Sequence, residues 1–206
     1  LIKIKELLNE YKHQYGLKSN DYYFNKLAKP DRFDTKEVVY IKRLLQRELA
    51  EGLRAKIIDN LFKTYVTKDL KDFSNELYMS LDQLKIMFES GMFIGSHGYE
   101  HYWLDTISPE KQELEIDRSL EFLSLIGVAN KDWVMCYPYG AFNQSLIEIL
   151  KEKGCGLGFT TNINITTISK KNAYTLERLD TNDFPKKANS GPSHWTKKLT
   201  RNFNYE

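Results

Sequence analysis

Met92–Asp105 reads MFIGSHGYEHYWLD, a short apolar run followed by His97 and His101 with three residues between them. The chain has four histidines, so two of them meeting here asks for a reason. Neutral imidazoles ligate Zn2+ and related divalent ions, and a pair ordinarily needs a third ligand to hold the metal. Gly95, Ser96 and Gly98 are poor helix residues and MFIGS reads as a buried strand, so the pair is expected at a strand end. The string HGYEH also fits the H-x-x-E-H pattern of inverted zinc proteases, which would make Glu100 a general base and requires helix through both histidines. Two histidines without a metal is the remaining reading.

Outward from this stretch, strands and helices alternate. SLDQLKIMFESG (80–91) carries a capping box at Ser80 and Gln83 and a stop at Gly91. SPEKQELEIDRSLEFLSLIG (108–127) opens with Ser108 and Pro109 in cap and first-turn positions and closes at Gly127. DWVMCYP (132–138) reads as a strand, NQSLIEILKEKG (143–154) as a helix, GLGFTTNI (156–163) as a third strand and AYTLERLD (173–180) as a fourth. Such alternation gives βαβ units and a parallel sheet or barrel, an α/β fold with its site at the C-terminal ends of the strands. His97 and YPYG (137–140) both fall there.

The first third is helical in pattern. LIKIKELLNEYKHQYG (1–16) stops at Gly16. DTKEVVYIKRLLQRELAEG (34–52) reads as one helix capped by Asp34 or Thr35 and closed near Gly52, and LRAKIIDNLFKTYV (53–66) places Leu53, Ile57, Leu61 and Tyr65 on one face. LKSNDYYFNKLAKPDRF (17–33) reads as a connector. The domain division is therefore a helical segment 1–78 and an α/β region 79–206. The closing KKANSGPSHWTKKLTRNFNYE (186–206) is polar, basic and aromatic, a mobile tail or a strap.

At 206 residues, 41% apolar and 28% charged, the composition is that of a globular protein. A net charge of +2 gives no electrostatic footprint for nucleic acid, and no apolar run reaches the roughly 20 residues that span a bilayer. Cys136 and Cys155 make no disulfide framework and read as buried thiols, leaning to a cytoplasmic location that is otherwise open. Leu1 in place of an initiator Met suggests an incomplete or processed product.

GMFIGSHGYEHYWLDTIS (91–108) followed by WVMCYPYGAFN (133–143) resembles the polysaccharide deacetylase family (NodB homology, carbohydrate esterase family four). The family's His-Ser/Thr-x-x-His motif matches His97 to His101, with Gly98 in the Ser/Thr position. Its Arg-x-Pro-Tyr-Gly motif matches Pro138, Tyr139 and Gly140, with Cys136 in place of the arginine. The resemblance implies a deformed (β/α) barrel, here incomplete, with residues 1–78 as an insertion between barrel elements. It implies a divalent metal, Zn foremost with Co, Ni or Fe as alternatives, held by His97, His101 and an aspartate. The reaction implied is removal of N- or O-acetyl groups from a sugar or surface polysaccharide. The Tyr139 backbone N–H would help hold the oxyanion, and Arg178 would stand in for the missing arginine that orients the base. Tyr99, Tyr137 and Pro138, among the aromatic cluster that includes Tyr102, Trp103 and Phe142, would contact the carbohydrate. The family's first motif, Thr-Phe-Asp-Asp-Gly, which supplies base and third ligand, is not found; DRFD (31–34) is the nearest string. Its C-terminal Leu-x-His motif is not evident, and His194 is the one late histidine. A missing N-terminal segment or an oligomer partner would then complete the barrel. The alternative is a degenerate domain that binds glycan or a partner without catalysis.

Overall fold

The computed structural model describes residues 1–202. The chain divides into two compact units, Leu1–Ser80 and Leu81–Glu206.

The first unit is helical: α1 Ile2–Tyr15, α2 Asn20–Leu27, α3 Lys36–Arg43, α4 Glu51–Tyr65 and α5 Leu70–Leu77. Gly16 ends α1 in the left-handed conformation expected of it, at φ 60°. The stretch read as a connector contains α2. Ser19 caps it by accepting the Tyr22 N–H at 3.1 Å, and Tyr23 packs inward, so one capping bond and one buried ring outweigh a weak apolar pattern. The single helix expected over 34–52 is broken instead. After α3 the chain makes a π-helical turn, Leu44–Glu48, then leaves the helix at the extended Leu49 and restarts at Ala50, placing Gly52 inside α4. Leu44 and Leu49 are both buried, and five residues of α-helix would swing them about 140° apart. The wider turn and the break let both reach the core that Ile4, Leu7, Leu8, Tyr40, Leu53 and Ile57 share.

The second unit is α/β. In order it holds α6 Leu81–Glu89, α7 Pro109–Leu125, β1 Trp133–Cys136, α8 Gln144–Glu152, β2 Cys155–Phe159 and α9 His194–Asn202. β1 and β2 pair in parallel with α8 as their crossover, in the register Val134 to Leu157, Met135 to Gly158 and Cys136 to Phe159. MFIGS is not the regular strand its composition suggests. It touches β1 through a single parallel bridge, Ser96 to Met135, with the Ser96 N–H on Val134 O at 2.8 Å and the Cys136 N–H on Ser96 O at 2.9 Å. Met92 and Phe93 are exposed, so little burial drives a longer ladder. The fourth expected strand is likewise one bridge, Phe159 to Leu176. The result among the described residues is a two-stranded parallel sheet flanked on each side by one extended segment, an α/β arrangement without barrel closure.

Its core joins Trp133, Met135 and Tyr137 from the sheet side to Ile116, Leu120 and Leu123 of α7 and Leu146 and Leu150 of α8. Each such side chain contributes roughly 1.5–3 kcal/mol by burial. In the closing stretch, residues 194–202 form α9, begun where Ser193 accepts the Thr196 N–H at 3.1 Å, and Lys198 Nζ donates to Asn164 Oδ1 at 2.8 Å. Residues 203–206 of the expected tail lie outside the described residues. No described helix is long and apolar enough to cross a membrane.

Cys155, 4% exposed, is buried in this core, and burial pushes its thiol up to about 11. An unfolded cysteine ionises near 8.5, so the folded state binds the extra proton between about pH 8.5 and 11, and stability falls as pH rises through that window. At pH 8 iodoacetamide should leave Cys155 unmodified in native protein and alkylate it fully in guanidinium. Mass spectrometry of the Cys155 peptide checks this, and native labelling at the denatured rate would contradict the burial.

Candidate functional site

His97 directly follows Ser96, the residue bridged to β1, so the turn that carries both histidines springs from the sheet. The backbone reverses through two left-handed positions, Gly98 at φ 76° and His101 at φ 58°. No helix runs through 97–101, which removes the inverted zinc protease reading. At Gly98 a Cβ would meet only ordinary contacts, Pro138 Cγ at 3.5 Å and Glu115 Oε2 at 3.7 Å. The positive φ, not lack of space, is what a Ser or Thr there would strain against.

His97 Nδ1 lies 2.6 Å from the Cys136 carbonyl oxygen. A carbonyl only accepts, so Nδ1 carries the proton and Nε2 presents its lone pair. That Nε2 is 3.1 Å from His101 Nε2, with the rings 4.8 Å apart at 70°. Two Zn–N bonds of about 2.0–2.1 Å at a tetrahedral angle separate their nitrogens by about 3.3 Å, so the pair fits a shared divalent ion. Burial, then the neighbouring His97, hold the His101 pKa below its ordinary value, which keeps a neutral ring available to ligate. Among the described residues no group of three His, Cys, Asp or Glu side chains forms around such a point.

The pair is shaped by residues that sequence reading passed over. Gln112, Glu115 and Ser119 are polar yet buried, on the face of α7 that also carries Ile116, Leu120 and Leu123. Ser119 Oγ lies 2.6 Å from Ser96 Oγ, which accepts the Gly98 N–H at 3.3 Å. Glu115 Oε2 accepts the N–H groups of Tyr99 at 3.1 Å and Glu100 at 2.8 Å. The Gln112 carboxamide donates to Leu104 O at 2.7 Å and Asn143 Oδ1 at 3.1 Å. The available signal was three polar residues at 112, 115 and 119 falling in phase with an apolar helical stripe.

The second motif turn, Pro138–Gly140, is brought against the first. The Tyr139 ring stacks on Trp103 at 4.7 Å and 9° and meets His101 edge-on at 4.7 Å. Tyr139 and His101 are both left-handed non-glycine residues, at a cost of roughly 1–2 kcal/mol each. Ring contacts worth about 0.5–1.5 kcal/mol apiece offset part of this, and at His101 the Glu115 bonds to the two preceding amides hold the backbone in place. Tyr137, expected against the carbohydrate, is fully buried. Its hydroxyl donates to Tyr174 O at 2.8 Å, its ring stacks on Phe142, and burial pushes its pKa well up. Pro138 is buried beside it. Tyr99 is 52% exposed, with the Arg118 guanidinium 5.5 Å from its ring. Arg178 donates from Nε to Thr160 O at 3.0 Å and from its backbone N–H to Asn162 O, and it bonds neither histidine. Asp180 caps the turn Thr181–Asp183. His194 packs edge-on against Trp195 at the start of α9.

Residues 58–157 match the polysaccharide deacetylase family model, a span that contains both histidines and the Pro138–Gly140 turn. The resemblance carried by the two motifs therefore stands. The chain is 24% identical over 91 residues to YxkH of Bacillus subtilis (strain 168), named as a candidate polysaccharide deacetylase, covering 44% of this chain and 32% of that protein. Among solved structures it is similar to the Streptococcus pyogenes deacetylase PplD in complex with acetate, with 26% identity over 60% of this chain and 57% of that one at a TM-score of 0.47. It is also similar to the BpsB deacetylase domain of Bordetella bronchiseptica, with 17% identity over 50% and 49% of the two chains at a TM-score of 0.44. The chain thus spans about a third of the curated relative and little more than half of the first structure.

Gly140 sits at φ 72°, and a Cβ there would come 2.1 Å from Thr161 Oγ1. Gly140→Ala should destabilise the protein by more than about 1 kcal/mol and shift the Tyr139 ring off Trp103. Thermal melting with near-UV circular dichroism reads both effects; an unchanged Trp signal would mean the turn does not depend on Gly140.

Proposed function

We propose, taking residues 58–157 as a polysaccharide deacetylase segment, that this chain is part of a metal-dependent hydrolase removing N- or O-acetyl groups from a sugar or surface polysaccharide. The observation that supports it most is the approach of His97 Nε2 and His101 Nε2 to 3.1 Å in a turn packed against Pro138–Gly140. In this reading His97 and His101 hold the ion, Zn2+ first among the candidates, and an aspartate outside the described arrangement completes the set. A bound divalent ion polarises the acetyl carbonyl and lowers the pKa of a bound water.

The chain's own residues do the rest. The Cys136 carbonyl fixes the His97 tautomer by accepting from Nδ1, so the side chain at 136 is not what the histidine uses. The Tyr139 N–H is assigned to the developing oxyanion, where a fixed backbone donor contributes without reorganising. Tyr99, half exposed, offers an aromatic face for a sugar ring, and Trp103 stacks on Tyr139 beside the histidine pair. Tyr137 and Pro138 contribute from the core, setting the backbone path of the turn. Arg178 keeps N–H groups beyond the Nε already given to Thr160 O, and its assigned part is to orient the base. The fold that goes with this reading is a deformed (β/α) barrel of which the second unit supplies a part, residues 1–78 being an insertion and a further segment or a partner chain supplying the remainder.

Zinc titration by calorimetry and acetate release from an N-acetylated amino-sugar oligomer test the proposal together. Wild type should bind about one Zn2+ per chain. His97→Ala and His101→Ala should each weaken binding by more than the roughly 10–100-fold that loss of an outer partner costs, without loss of fold. Binding that survives both substitutions would remove the site. Metal binding with glycan binding but no acetate release would identify the chain as a non-catalytic glycan-binding domain.

A further inference from the structure

We propose that Glu115 is a positioning residue for the histidine pair, its buried carboxylate holding the 97–101 turn in the shape that converges the two Nε2 atoms. The inference rests on the reading of His97 and His101 as metal ligands. Glu115 is 3% exposed on α7, and one oxygen, Oε2, accepts both the Tyr99 and the Glu100 N–H. Those amides belong to two of the three residues between the histidines. Burying a carboxylate costs several kcal/mol unless it is well bonded, and an apolar side chain would serve plain packing at less cost. What the carboxylate gives is direction. With Tyr99 and Glu100 turned toward α7, the backbone must enter through Gly98 at φ 76° and leave through His101 at φ 58°, and it is the left-handed His101 that faces back onto His97.

The start of the turn is held separately, by Ser119 Oγ on Ser96 Oγ and by His97 Nδ1 on Cys136 O. The His97 ring is therefore fixed by the Cys136 carbonyl of β1, whereas the backbone leading into His101 is held by Glu115, with the Tyr139 ring edge-on to the His101 imidazole. In a chain with Gly98 at the first position of the turn, that turn has no hydroxyl of its own there, and the restraint comes from the helix instead.

The test compares Glu115→Ala, Glu115→Gln and, as a control for plain destabilisation, Leu120→Ala from the same helix face. Nuclear magnetic resonance of the metal-free full chain reads the ring-to-ring Overhauser contact between His97 and His101, and calorimetry reads Zn2+ affinity. Glu115→Ala should lose the ring contact and about 10–100-fold in Zn2+ affinity. Glu115→Gln, which keeps an acceptor oxygen, should recover much of both. Leu120→Ala should lower the melting temperature and leave both readouts unchanged. A retained ring contact in Glu115→Ala overturns the proposal.

Should wild type bind no Zn2+, the metal reading fails by itself, and the ring contact in the metal-free variants still decides the part of Glu115. Should Glu115→Ala not fold, Glu115→Leu, which fills the space without an acceptor oxygen, decides it by the same ring contact. Loss of the contact in a folded Glu115→Leu supports the proposal, and a retained contact overturns it.

Discussion

One face of α7 does two jobs that ordinarily compete. Ile116, Leu120 and Leu123 bury apolar surface against the sheet, while Gln112, Glu115 and Ser119 on the same side of the helix place polar atoms in the interior. Buried polar groups are tolerated when every one is bonded, and these three are bonded to loops: Ser119 to Ser96, Glu115 to the amides of Tyr99 and Glu100, Gln112 to Leu104 O and Asn143. Loop backbone that would otherwise need water is thereby tied to a rigid element. The candidate site exists in this form because a helix, and not the loop itself, dictates the loop's course.

The second constraint comes from the sheet. β1 delivers the Cys136 carbonyl to His97 and, one turn later, Tyr139 to the edge of His101. The parallel pairing with β2 fixes where β1 ends, and Gly140 lets Thr161 approach from beyond β2 so that the turn can close. Helix and sheet therefore act on the two histidines from different directions. His97 takes its orientation from β1 and His101 takes its backbone from α7.

Much of this was legible in the sequence. The alternation of elements, the caps at Ser108 and Asn143, the parallel pairing of WVMC with CGLGF and the meeting of HGYEH with YPYG follow from periodicity, capping chemistry and the strand-end rule. The parts that did not follow depend on tertiary contacts that periodicity does not encode. MFIGS carries strand composition, yet Met92 and Phe93 face solvent and one bridge is all the pairing it makes. Tyr137 looked like a ligand-facing aromatic beside Tyr139, but alternation along β1 turns it into the core, where Tyr174 O takes its hydroxyl. The break at Leu49 follows from the need to bury two leucines five residues apart. Glu115 was hidden because a glutamate on a helix rich in Glu, Lys and Asp reads as solvated.

The separation of His97 from its carbonyl partner also bears on how the chain closes. They are 39 positions apart along the chain, and Ser96 and Met135 are separated by the same span. The contact of Glu115 with the 99–100 amides closes over only 15 or 16 residues, so its loop-closure cost is lower than that of the contact between His97 and Cys136. The turn is thus closed by one short-range restraint and one long-range restraint, and the long-range one is made by a backbone carbonyl of β1 and not by a side chain.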